Sequence, residues 1–176
     1  MIDYRSLSVL VITAKPHVAQ VMRQVLGICG ITRIAIAPDG RAAIDLLRIQ
    51  VFDAAFCDDA SSRDTGGHFA QAARGAEGVL DTMLPVFLVC AGPRRRDVEV
   101  ARDQGYTDVL TRPVSAATVL RKLTQALERP RPFIVAPEFF GPDRRSQARD
   151  KFKGSDRRTR QPRKIRIAAP NETLID

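Results

Sequence analysis

One short string of chemically able residues occurs twice near the C-terminal end of the chain. Gly141-Pro142-Asp143-Arg144-Arg145-Ser146 is followed by Gly154-Ser155-Asp156-Arg157-Arg158-Thr159. In each copy a Gly, a small variable residue, an Asp, two Arg and a hydroxyl residue stand in that order. The Gly allows backbone to approach a ligand closely. Arg donates paired hydrogen bonds to phosphate oxygens or to the O6 and N7 edge of guanine, and it stacks on base faces. The Asp narrows the choice, because a segment that binds only phosphate gains nothing from a carboxylate beside each arginine pair. A carboxylate accepts two bonds from guanine N1–H and the 2-amino group. Two copies therefore suit a ligand with two guanines and two phosphates, and cyclic di-GMP has that composition. The candidate nucleotide-binding residues are Asp143, Arg144, Arg145, Asp156, Arg157 and Arg158, with Ser146 and Thr159 secondary. Arg149, Lys151, Arg160 and Arg163 stand close enough in sequence to neutralise phosphate.

Charge follows the same division. The whole chain of 176 residues carries a net charge of +8. Residues 1–128 hold 15 basic and 14 acidic side chains, whereas residues 129–176 hold 13 basic and 6 acidic ones. The front is nearly neutral and the tail is strongly basic, which points to an anionic partner bound by the tail. Bare nucleic acid fits less well, since each repeated Asp would repel phosphate and no aromatic stacking platform accompanies the arginines. The hydrophobic content of 44% suffices for a core. Cys29, Cys57 and Cys90 are odd in number and widely spaced, so they are expected as buried reduced thiols, not as a disulfide framework or metal site. The longest apolar runs are too short to cross a bilayer, and the N-terminus lacks the form of a signal peptide. A cytoplasmic location is expected.

The elements that must carry the tail are legible in order. Leu7 to Thr13 is a β-branched run of the kind buried on both faces of a sheet. Further strands are expected at Arg33–Ala37, Asp53–Asp58, Pro85–Cys90 and Asp108–Thr111. Helices are expected after Pro16, from Gly40, through Phe69 to Ala73, from about Pro93 to Gln104, and after Ser115, which can cap the last one. Five strands alternating with five helices predict one parallel sheet with helices on both faces. Functional groups in such sheets gather beyond the carboxyl ends of the strands. Those positions hold Thr13-Ala14, Asp58-Asp59, Cys90-Ala91 and Thr111-Arg112. Arg129-Pro130-Arg131-Pro132 then begins a stiff linker. The predicted division is a body over 1–128, a Pro/Arg linker over 129–139 and an Arg-rich tail over 140–176, with too few apolar residues beyond the linker for a separate core.

Over roughly residues 5–128 the chain resembles the receiver domain of two-component response regulators. The Asp53-to-Asp58 strand, Gly66, Gly105 and the Arg112-Pro113 pair carry that resemblance. It implies a flavodoxin-like (βα)5 doubly wound α/β fold with strand order 2-1-3-4-5 and a largely irregular basic extension. It also implies that Asp58 stands at the phosphoryl-accepting position, beside a Mg²⁺ held by an acidic pair ending the first strand. Here Thr13 and Ala14 replace that pair, Cys90 replaces the hydroxyl residue ending the fourth strand, and Arg112 replaces the Lys before Pro113. Val109 stands at the aromatic switch position, and Ser61-Ser62 follow where Met-Pro is usual. The expectation is a pseudo-receiver that does no catalysis, binds no Mg²⁺ and uses Asp58 as an ion-pair partner of Arg112. The alternative is a phosphorelay response regulator, phosphorylated at Asp58 with help from Asp59, whose tail tethers a partner or nucleic acid.

The Arg-rich extension also resembles that of the cyclic di-GMP-binding receiver-like effectors of α-proteobacteria that adjust flagellar motors. It implies a tail ordered by cyclic di-GMP. It further implies a protein partner, such as a flagellar motor component or a histidine kinase, docking on the face made by the fourth helix, fifth strand and fifth helix. Arg94-Arg95-Arg96 opens that fourth helix. His17 and His68 lack ligand-type neighbours at metal spacing and are expected as polar surface residues.

Overall fold

A computed structural model describes residues 2–61, 68–136, 139–143 and 163–165. The body contains β1 (Ser8–Ile12), α1 (Pro16–Ile28), β2 (Arg33–Ala37), α2 (Gly40–Ile49) and β3 (Ala54–Asp58). A 3-10 turn at Asp59–Ser61 follows, then α3 (Phe69–Gly75), β4 (Val86–Ala91), α4 (Arg95–Asp103), β5 (Asp108–Arg112) and α5 (Ala116–Glu128). The five strands form one sheet in the order β2-β1-β3-β4-β5, and every pairing is parallel.

Alternation along β1 explains why the sheet is covered on both sides. Leu10 and Ile12 enter one apolar cluster with Ala43, Leu47, Phe69 and Ala101, which come from α2, α3 and α4. Val9 and Val11 enter the other with Val18, Met22, Val119 and Leu123, from α1 and α5. Successive side chains of a strand point to opposite faces, so a run without polar breaks needs helices on both. Local signals set the helix starts. Asp39 accepts a hydrogen bond from the Ala42 amide at 2.9 Å ahead of α2. Ser115 accepts one from the Thr118 amide at 3.3 Å, as its position predicts. Pro16 occupies the first turn of α1.

Beyond α5 lies a second, smaller sheet. β6 (Phe133–Ala136), β7 (Phe139–Pro142) and β8 (Arg163–Ile165) form it in the order β7-β6-β8. Both outer strands run antiparallel to β6, with Phe133 opposite Pro142 on one side and Ile165 on the other. Residues 129–139, expected as linker, thus include a paired strand. The physical reason is composition: Phe133, Ile134 and Val135 are strand formers, and Phe139-Phe140 supplies a matching partner. The diagonal rings of Phe133 and Phe140 meet with centroids 5.4 Å apart. The segment needs no core of its own, because it packs on the body. Phe133 is only 3% exposed.

Candidate functional site

Parallel strands bring their carboxyl ends to one edge of the sheet, and the expected site positions meet there. Asp58 closes β3, between β1 and β4, and is 2% exposed. Arg112 closes β5 and sends Nη1 to 3.3 Å from Asp58 Oδ1. Lys15, just before α1, places Nζ 3.6 Å from Asp58 Oδ2. The buried carboxylate is therefore bracketed by two cations from either side of its strand. At these separations the contacts are ion pairs, and among the described residues neither Asp58 oxygen accepts a hydrogen bond. The pairing with Arg112 was legible in the sequence. The pairing with Lys15 is not legible there, although its place two residues after Thr13 puts it on the loop at the same sheet edge.

Neighbouring positions are built around that pair. The Thr13 amide donates to Ala37 O at 2.9 Å, and Thr13 Oγ1 accepts from the Lys15 amide at 3.2 Å. Thr13 is thereby committed to shaping the turn that delivers Lys15. The Arg112–Pro113 peptide is cis. Cys90, at the end of β4 opposite Thr111, is 7% exposed. Burial pushes its thiol up, the Asp59 carboxylate adds to the rise, and the Arg112 cation opposes it. Val109 is buried in the apolar cluster that contains Tyr106 and Ala101.

The donor set does not suit a divalent cation. Mg²⁺ takes carboxylates and water in an octahedral shell. Thr13 and Ala14 supply no carboxylate at the end of β1, and the Lys15 ammonium stands against Asp58. Among the described residues no group of three His, Cys, Asp or Glu side chains could hold a metal. His17 is exposed on α1, and His68 stands just before α3. Arg94, Arg95 and Arg96 are exposed at the start of α4, and Arg95 pairs with Glu99 at 3.3 Å.

Of the tail candidates, Asp143 lies among the described residues. Its amide donates to Pro132 O at 2.8 Å, and its Oδ2 is 3.4 Å from Lys164 Nζ. Arg144, Arg145, Ser146, Asp156, Arg157, Arg158 and Thr159 lie outside the described residues. Asp143 and Asp58 are not brought together. Gly141, two residues before Asp143, would place a Cβ 3.2 Å from Gly105 Cα, in the turn before β5, whereas Arg112 closes that strand beside Asp58.

Solved structures share the fold of the body. The receiver domain of a sensor histidine kinase from Pseudomonas aeruginosa, solved with a magnesium ion coordinated in its active site cleft, matches with a TM-score of 0.58 and 23% identity, over 68% of this chain and 95% of that one. A chemotaxis response regulator of Vibrio cholerae matches with a TM-score of 0.58 and 23% identity, over 69% and 98% of the two chains. A putative response regulator from Chloroflexus aurantiacus reaches a TM-score of 0.61 at 19% identity, over 70% and 98%. The fold is that of receiver domains. No protein-family model matches the chain. The strand order of the receiver fold agrees with the sequence expectation, and the carboxyl edge of the sheet is the place where Asp58 and Arg112 meet. No helix among the described residues is long and apolar enough to cross a membrane.

Proposed function

We propose that this chain is a non-catalytic signalling protein whose receiver-fold body has given up phosphoryl chemistry and whose Arg-rich tail binds cyclic di-GMP. The doubled Gly-x-Asp-Arg-Arg motif is the observation that carries the reading. Its paired arginines match phosphates and guanine edges, and its aspartates match the donor edge of guanine. The body supports the reading through what surrounds Asp58. A carboxylate already neutralised by Lys15 and Arg112 has little attraction for Mg²⁺, and phosphoryl transfer to it lacks the cation that would balance the incoming oxygens. Asp58 then serves as an ion-pair anchor that fixes one arrangement of the site. The bound nucleotide presents the body, or the face of α4, β5 and α5, to a motility or signalling protein.

A second reading draws on Asp59, on the 3-10 turn next to Asp58. It makes the chain a phosphorelay response regulator phosphorylated at Asp58. The test of the first is calorimetric titration of the full chain with cyclic di-GMP at two salt concentrations. Saturable binding that weakens only modestly with salt is expected. Absence of binding, or binding that collapses with salt as bare phosphate contacts do, would overturn it.

A further inference from the structure

Arg74, on the last turn of α3, is 6% exposed. Burial of an arginine requires that its donors be satisfied and its charge be spread. Its Nε and Nη2 both donate to Gly105 O, at 3.1 and 2.8 Å. Its Nη1 donates to Thr82 O at 2.7 Å and to Leu84 O at 3.3 Å. Desolvation lowers its pKa to about 10, with Asp81 opposing the fall, so the group stays charged at neutral pH. The guanidinium thus ties α3 to the turn before β5 and to the segment leading into β4.

One face of this buried cation is left for an aromatic ring. Phe133, the first residue of β6, fills it with its ring centroid 4.8 Å from Arg74 Cζ. Beside that contact two glycines let backbones approach. A Cβ on Gly141 would lie 3.2 Å from Gly105 Cα and 2.9 Å from the Phe139 ring. Gly105 itself has φ +87°, and its Cβ would meet Arg74 Nε at 3.3 Å. Gly141 is the first Gly of the doubled motif, so the first copy starts inside a contact with the body. Gly154 of the second copy lies outside the described residues.

We propose that Arg74 is the latch that fixes the C-terminal sheet to the body and thereby sets the position of Asp143, the first charged residue of the doubled motif. β7 and Asp143 thus stand at the amino end of β5, whereas the carboxyl end of β5 holds Arg112 against Asp58. Arg74 is in this sense a positioning residue. It acts on the tail through Phe133 and the Gly105–Gly141 contact. The proposal stands whatever ligand the tail takes.

Hydrogen exchange on the full chain tests it, with Phe133→Ala, Arg74→Lys and, as a control on the exposed side of β6, Val135→Ala. Phe133→Ala leaves the carbonyl bonds of Arg74 in place, so the body should stay folded. Local opening of the sheet should then speed exchange of the β6, β7 and Asp143 amides about tenfold or more, with β1 to β5 unchanged. Arg74→Lys keeps the charge but loses the fork, and it should open the same amides. Val135→Ala should not. Unchanged exchange in Phe133→Ala, or equal acceleration across β1 to β5, would overturn the latch.

Discussion

Alanine at both Arg144 and Arg145 should weaken cyclic di-GMP binding about a hundredfold or more. A hydrogen bond from a charged donor contributes roughly 1.5–3 kcal/mol. Losing one such bond at each of two arginines amounts to about 3 kcal/mol, or roughly 150-fold in affinity. The Arg157 and Arg158 pair should show a comparable loss if both copies bind. These substitutions leave the apolar side chains of the body untouched, so thermal unfolding should move little. The aspartates should behave differently. Asparagine presents a donor where guanine also donates, so Asp→Asn should cut discrimination between guanine and adenine nucleotides more than it cuts overall affinity. Asp143 already faces Lys164 at 3.4 Å and is 14% exposed. Asp156→Asn is therefore expected to cost more than Asp143→Asn. Calorimetry with cyclic di-GMP and its adenine analogue reads all of these.

The second large effect belongs to the body. Arg112→Met should destabilise the protein by about 2–3 kcal/mol, because a buried carboxylate loses its nearer cation. That corresponds to a fall in Tm of roughly 5–10 °C for a chain of this size. Lys15→Met should cost under about 1 kcal/mol, since that side chain is 43% exposed and its ammonium stands 3.6 Å away. Adding Asp58→Asn to Arg112→Met should recover most of the loss, because the uncompensated charge is then gone. Urea titrations of Arg112→Met, Asp58→Asn and the double variant form the cycle, with Lys15→Met measured beside them. A harmless Arg112→Met would mean that Asp58 is stabilised by something other than the pair.

The body was readable because its signals are local and repeated. The apolar run at Leu7–Thr13 demanded cover on two faces, Asp39 and Ser115 sit at helix starts, and Pro16 marks another. Arg112 could be matched to Asp58 because both end neighbouring parts of one sheet edge. Lys15 escaped because its pairing depends on the turn that Thr13 shapes, and spacing alone does not reveal that turn. The small C-terminal sheet escaped for a different reason. Residues 129–176 hold too few apolar side chains for a self-sufficient core, and Phe133 docks on Arg74, 59 positions away in sequence. A buried arginine without an obvious sequence partner gives no local signal. Gly141 similarly reads as part of a ligand motif, while its close approach to Gly105 is visible only in three dimensions.

The central claim is that input arrives at the tail while Asp58 stays in its ion pairs. Amide NMR of the full chain, recorded first with Mg²⁺ and beryllofluoride and then with cyclic di-GMP, tests it most directly. The expected result is an unchanged spectrum at Lys15, Asp58, Cys90 and Arg112 in the first step, followed by saturable shifts from Phe133 through Asp143 in the second. Shifts centred on Asp58 and Arg112 in the first step, with none at the C-terminal sheet in the second, would contradict it.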